Sequence, residues 1–284
     1  MKTITHKINE ALATVYSDGE IKALTRIIAM ELLGVSQMAY YLKDDITLSA
    51  KQQSLLDNAI ERLQRQEPIQ YILGYCDFCG LRFKVTQATL IPRPETSELV
   101  EWVASEATGK ESILDIGTGS GCIAVSLAHK MPKSKVTAWD ISNEALAVAS
   151  ENSKANSCAV TFEQVDILAH QPTSELFDII VSNPPYIKEN EKKAMHANVL
   201  DWEPHTALFV PDSDPLLFYR TIAEKGSTLL KPGGQLYFEI NRAHGKETME
   251  MLAVLGYKEI ELRKDFADND RMIRAVKPKW KGEK

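Results

Sequence analysis

From about residue 111 onward, short apolar runs alternate with stretches of helical periodicity, and this alternation admits one class of fold. The patterning predicts strands at 112–116, 135–140, 159–165, 177–182, 235–240, 257–262 and 271–276, with helices at 121–130, 143–156, about 215–230 and 245–255. Strands separated by helices pair in parallel, so the expected domain is α/β, a mostly parallel sheet covered on both faces. Ligands of such sheets lie outside the carboxyl ends of the strands, near the point where strand order reverses. The chemistry should therefore sit where the strands end.

Four of these strands run into residues with a chemical purpose. Ile113-Leu114-Asp115-Ile116 runs into Gly117-Thr118-Gly119-Ser120-Gly121 and then into a helix. Glycines in such a turn permit positive φ and let a ligand approach the main chain closely. A dinucleotide turn, G-x-G-x-x-G, needs glycine where this chain has Cys122. The spacing G-x-G-x-G instead suits a nucleoside with no pyrophosphate to seat on the helix end. Asp140 closes the second strand 19 residues after Gly121, where a carboxylate can accept both hydroxyl protons of a ribose. Asp166 ends the third strand and could accept an adenine amino group, with Ile167 against the ring. Thr118 and Ser120 are small polar residues that serve either a ligand or the turn's own backbone.

The fourth strand, Phe177-Asp178-Ile179-Ile180-Val181-Ser182, ends on Asn183-Pro184-Pro185-Tyr186. Asn183 offers a side-chain carbonyl as acceptor. The two prolines fix two φ angles, and Pro185 brings no N–H, so the Pro184 carbonyl is free to point into the site. Two acceptors can hold the two hydrogens of one planar NH2 group. Such a nitrogen is a poor nucleophile because its lone pair is delocalised. Orienting it in line with a methyl donor, and stabilising the positive charge that develops on it, is what catalysis requires. Tyr186 would wall the flat group. Together the motifs point to methyl transfer from S-adenosyl-L-methionine to a planar nitrogen, with Asn183, Pro184 and Tyr186 as the catalytic residues.

The first 75 residues read differently. Leu24, Ile27, Ile28 and Leu32 recur at helical spacing before Gly34, and a second helix runs from about Ala50 through Leu55, Leu56, Ala59, Ile60 and Leu63 to a stop before Pro68. Between 69 and 91, Tyr71, Ile72, Phe78, Leu81, Phe83, Val85, Leu90 and Ile91, punctuated by Gly74 and Gly80, suggest a β-hairpin connector. The expected organisation is a helical domain at 1–75, a hairpin at 76–90 and the sheet domain at 91–284. The segment Ile91-Pro92-Arg93-Pro94-Glu95-Thr96 is expected to be extended, ahead of a helix through Leu99, Val100, Trp102 and Val103.

Composition narrows the partners. The net charge is −6; residues 1–90 carry 10 basic and 10 acidic side chains, and the rest 23 against 29. An enzyme of nucleic acid usually shows a basic excess or stripe, and the one basic cluster, Lys277, Lys279, Lys281 and Lys284, reads as a solvated tail. No direct nucleic-acid partner is expected. The sequence shows neither a signal-peptide core nor a bilayer-spanning run, so a cytoplasmic protein without membrane contact is expected. Cys76 and Cys79 form a C-x-x-C pair with no second ligand pair, and they read as small residues of a hairpin, not as a metal site.

IPRPET, LDIGTGSG, SNPPYI, EPHTAL and YFEI together resemble the protein-(glutamine-N5) methyltransferases of peptide chain release factors, the HemK/PrmC type. The likeness runs from QYILGYCDFCGLRFKVT to RMIRAV. It implies a Rossmann-like class I methyltransferase domain with a seven-stranded sheet and a reversed last hairpin, behind a small substrate-docking helical domain. It also implies that the substrate is the glutamine of the release factor's Gly-Gly-Gln loop. Carried onto this chain, Gly117, Thr118, Gly119, Ser120, Gly121, Asp140, Asp166, Ile167 and Asn183 would meet S-adenosyl-L-methionine, Asn183, Pro184, Pro185 and Tyr186 the glutamine amide, and the segment Ile91 to Thr96 would border the site. The chain departs from the family after its EI strand, where it reads Asn241-Arg242-Ala243-His244, and at Ile167, where a tryptophan is frequent. Two other readings stay open: an adenine- or cytosine-amino methyltransferase, which handles the same NH2 geometry, and a binding module that keeps the fold without catalysis.

Overall fold

The structure, a computed structural model, describes residues 1–42, 46–170 and 176–279. One compact unit comprises Met1–Tyr75 and His196–Trp202. Its helices are α1 (Lys2–Leu12), α2 (Asp18–Ile27), α3 (Gln37–Leu42), α4 (Ala50–Gln64) and α5 (Ile69–Leu73). Two of them start on reciprocal caps, Ser17 with Glu20 and Ser49 with Gln52, which satisfy helix N–H groups that have no partner within the helix. Beyond α2 the helix widens into a π turn, Ile28–Leu32, before Gly34. The apolar faces meet in a core that includes Ile8, Leu12, Ile28, Leu56 and Leu63.

The second unit takes in Cys76–Met195 and the chain from Glu203 on. Strands β1 (Tyr75–Phe78) and β2 (Leu81–Lys84) form a hairpin whose turn, Cys79-Gly80, has φ of 49° and 77°. The hairpin is shorter than predicted: Tyr71 and Ile72 lie in α5, because no polar alternation or turn residue separates them from Pro68. Burial holds both thiols of the C-x-x-C pair above the ordinary range, that of Cys76 at about 12. Helix α6 (Pro94–Glu106) begins earlier than expected. Pro94 takes its first turn, where a missing N–H costs nothing, so Glu95 and Thr96 are helical and not extended.

The sheet follows: β3 (Ser112–Ile116), α7 (Cys122–Lys130), β4 (Lys135–Asp140), α8 (Asn143–Ala155), β5 (Val160–Gln164) and β6 (Phe177–Ser182). A small pair, β7 (Ile187–Lys188) and β8 (Phe209–Val210), brackets α9 (Ala197–Leu200), which belongs to the first unit. Then come α10 (Leu217–Leu229), β9 (Leu230–Glu239), α11 (Gly245–Val254), β10 (Lys258–Lys264) and β11 (Asp270–Val276). The order is β10-β11-β9-β6-β3-β4-β5, parallel from β9 to β5 and antiparallel at β11 and β10. This is the seven-stranded, mostly parallel sheet that the alternation implied, and strand order reverses between β3 and β6.

Strand alternation explains the two covered faces. Ile113, Ile179 and Val181 pack with Leu99, Trp102, Val103, Ile123 and Leu127 on one side. Leu114, Ile116 and Ile180 pack with Tyr219, Ile222, Ala223 and Leu252 on the other. Strand β9 starts at Leu230, five residues before the predicted start, because it pairs there with Phe177. Of the basic tail, Lys277 is not simply solvated; its ammonium donates to the Leu230 carbonyl. Lys281 and Lys284 lie outside the described residues.

Candidate active site

Parallel register brings two motifs side by side. Ile116 pairs with Ser182, so Gly117 and Asn183 are the next residues on neighbouring strands at the switch point. Trp139 pairs with Ile116 on the other flank, which puts Asp140 one residue beyond. The glycine turn is tied to β4 through Gly117 N and Thr118 N, which both donate to the Trp139 carbonyl at 2.9 and 3.0 Å.

Gly117, Gly119 and Gly121 all adopt positive φ, 74°, 55° and 79°. A Cβ on Gly117 or Gly119 would meet nothing within 4 Å, so these two face open space, whereas one on Gly121 would stand 3.0 Å from the Ala149 Cβ. The turn is thus a cradle: two glycines open it and a third lets α7 close on α8. Asp140 borders it, its Oδ2 accepting from Gly119 N at 2.8 Å and its Oδ1 from Ser142 N at 2.9 Å. Each oxygen keeps a further lone pair for a ligand hydroxyl. Burial lifts this carboxyl above its usual range, against the backbone N–H groups of Ser142, Gly119 and Ile141, which favour its charge.

Beneath the turn, Asp115 is completely buried. Its Oδ2 accepts from the Thr118 hydroxyl at 2.6 Å, while Oδ1 has no hydrogen-bond partner. Burial raises this carboxyl to about 7. Ser120 is also buried, its hydroxyl unbonded apart from the approach of the Cys122 thiol. An open glycine cradle, a carboxylate at its rim and buried polar atoms with spare capacity fit the nucleoside and amino-acid ends of S-adenosyl-L-methionine. Asp166 lies two residues past β5 and uses Oδ1 to accept from Leu168 N at 2.9 Å. Ile167 is buried in the core with Trp139 and Phe177.

The acceptor motif is held by residues that spacing alone did not single out. Asn183 Nδ2 donates to the Thr96 hydroxyl at 3.4 Å, and Thr96 donates to Glu239 Oε2 at 2.6 Å. Tyr186 donates to the other oxygen of Glu239 at 3.3 Å, which fixes the ring through its hydroxyl. Glu239 is 1% exposed, and burial raises its pKa, against the Thr96 bond and the nearby Arg271 charge. Asn241 Nδ2 donates to the Tyr186 carbonyl at 3.2 Å, and Asn241 N donates to the Tyr219 hydroxyl at 3.1 Å. Pro184 is buried and Pro185 half-buried. His244 stands at the start of α11 without a side-chain bond to the helix.

The proline-rich segment is pinned in the same manner. Glu203 accepts from Ile91 N at 3.1 Å and pairs with the Arg93 guanidinium. Thus IPRPET is bonded to EPHTAL through Glu203 and to YFEI through Glu239. IPRPET supplies one half of both buried polar pairs, and EPHTAL and YFEI supply the other halves.

The family profile described as Methyltransferase small domain matches residues 95–201, and that of the PrmC N-terminal domain matches residues 4–74. The chain is 51% identical over 278 residues to the Release factor glutamine methyltransferase of Bacteroides thetaiotaomicron, covering 97% of this chain and 99% of that one. It is 47% identical to the protein of the same name from Flavobacterium psychrophilum, over 93% of this chain and 95% of that one. Among solved structures, a methyltransferase from Pyrococcus furiosus superposes with a TM-score of 0.54 at 20% identity, covering 78% of this chain and 99% of that chain. That last likeness is one of fold.

Proposed function

The chain belongs to the release factor glutamine methyltransferase family, and from that premise we propose how its site methylates the side-chain amide nitrogen (N5) of the glutamine in a release factor's Gly-Gly-Gln motif. The observation that carries this reading is the position of Asn183, next to the glycine cradle in register and anchored through Nδ2. With Nδ2 engaged, Oδ1 is the acceptor presented to substrate. The Pro184 carbonyl supplies the second acceptor, and the two hold both hydrogens of the glutamine NH2.

S-adenosyl-L-methionine is the methyl donor, and the chemistry it supplies is an electrophilic sulfonium methyl group. Gly117, Thr118, Gly119, Ser120 and Gly121 would form its bed, Asp140 would accept from its ribose hydroxyls, and Asp166 and Ile167 would border its base. What the acceptor residues contribute is orientation: they hold the amide nitrogen in line with the methyl and favour the geometry in which its lone pair is released from conjugation. Their carbonyl dipoles stabilise the positive charge that develops on nitrogen, and its surplus proton then passes to water.

The even charge balance of residues 1–90 supports a protein substrate over nucleic acid. Among the described residues no helix is long and apolar enough to cross a membrane. A cytoplasmic setting, where translation termination takes place, fits the reading, as does a docking role for the helical unit. The test supplies labelled donor with release factor, with release factor whose Gly-Gly-Gln glutamine is replaced, and with DNA. Label on the first alone is expected; label on DNA and not on release factor would overturn the proposal. Deleting residues 1–75 without loss of release-factor methylation would remove the docking role.

A further inference from the structure

Asn183, Thr96 and Glu239 come from three distant parts of the chain and form one chain of hydrogen bonds. Thr96 and Glu239 are 2% and 1% exposed, so water does not substitute for either. The direction of each bond follows from the groups themselves. An ionised carboxylate only accepts, and a threonine hydroxyl has a single hydrogen. At 2.6 Å from Glu239 Oε2, that hydrogen is committed to the carboxylate. The lone pairs of Thr96 Oγ1 are what remain for Asn183, and they bond an NH2 and repel a carbonyl.

We infer that Thr96 and Glu239 are positioning residues that lock the Asn183 amide in the orientation whose Oδ1 faces the substrate. This rests on the proposed methylation of an amide nitrogen. A free asparagine amide turns over at little cost, and the reversed rotamer would present a donor to the substrate's own NH2, which repels it. The lock removes that rotamer. Glu239 serves two hydroxyls at once, since Tyr186 donates to Oε1 while Thr96 donates to Oε2. Tyr186 and Asn183 flank the two prolines, so one carboxylate sets both ends of the acceptor loop.

The test measures kcat and KM on full-length release factor, donor affinity by calorimetry, and melting temperature. Thr96→Val keeps the shape and removes the hydroxyl; kcat should fall by about 100-fold, the scale of a misplaced reacting group. The KM for release factor and the donor Kd should stay within about twofold, as expected for an interaction that acts in the transition state. Thr96→Ser restores the hydroxyl and should recover kcat to within about threefold of wild type. Glu239→Gln has one acceptor oxygen for two hydroxyl donors, so one bond must reverse, and kcat should fall without a matching rise in KM. Wild-type kcat in Thr96→Val, or equal losses in Thr96→Val and Thr96→Ser, would overturn the inference. Failure of the wild-type protein to methylate release factor would overturn the functional reading and this inference with it; that outcome is distinguishable because it does not depend on residue 96.

Discussion

Ser182 donates its hydroxyl to the Ile116 carbonyl at 2.6 Å, and the same two residues are partners in the parallel register of β6 and β3. The bond closes the last step of two adjacent strands at the switch point, just before each strand releases its motif. It fixes the separation of the glycine cradle from Asn183. The spacing of the two motifs is therefore set by sheet geometry and not by loop flexibility.

Asn183 is the residue that touches the nitrogen to be methylated in the proposed reaction. Replacing it with alanine should lower turnover on release factor by at least about 100-fold. Donor affinity should survive, since the cradle and Asp140 are untouched; calorimetry and labelled transfer, run in parallel, check both halves. Near-wild-type turnover would remove the amide clamp.

Asp140→Ala should weaken donor binding by about 10–100-fold, the value of charge-assisted hydrogen bonds to two hydroxyls. The loss includes a local effect, because Gly119 N and Ser142 N lose their shared acceptor. Titration calorimetry reports it directly.

Asp115 gives the protein a pH dependence of definite sign. Its carboxyl titrates at about 7 in the fold against 3.8 as the ordinary value. Between these values the native state holds a proton that the unfolded chain has released, so stability declines as pH rises from about 4 to about 7 and levels off above. Asp115→Asn lacks this titration. The stability of wild type relative to the variant should fall by roughly 2–3 kcal/mol between pH 5 and 7.5, read from urea midpoints. Parallel curves for the two proteins would contradict the assignment.

Glu203 is expected to matter for stability. Its side chain is fully buried while that of Arg93 is 36% exposed, and it also caps Ile91 N. Glu203→Ala should cost about 3 kcal/mol, because a guanidinium and a backbone N–H lose their partner together. Glu203→Gln keeps an acceptor for Ile91 and should cost less. Denaturant melts of the two variants separate the ion pair from the backbone bond.

What the sequence by itself determined was local in origin. Apolar runs of strand length and stretches of helical period placed nearly every element of the sheet domain, because burial on two faces writes that pattern residue by residue. The glycine cradle, Asp140 and Asn183 were legible for the same reason: each is a strand end whose residue type has a chemical purpose. Other features were decided only in three dimensions. Thr96 and Glu239 are 143 residues apart, Ile91 and Glu203 112, and Tyr186 and Asn241 55. The first and third exist because the sheet order brings β9 beside β6, with α6 packed against β9, and the second because the chain after α9 returns to the segment ahead of α6. No periodicity encodes such a meeting. A polar side chain advertises in sequence that it can bond, but burial beside one particular partner, with water excluded, is a property of the assembled sheet.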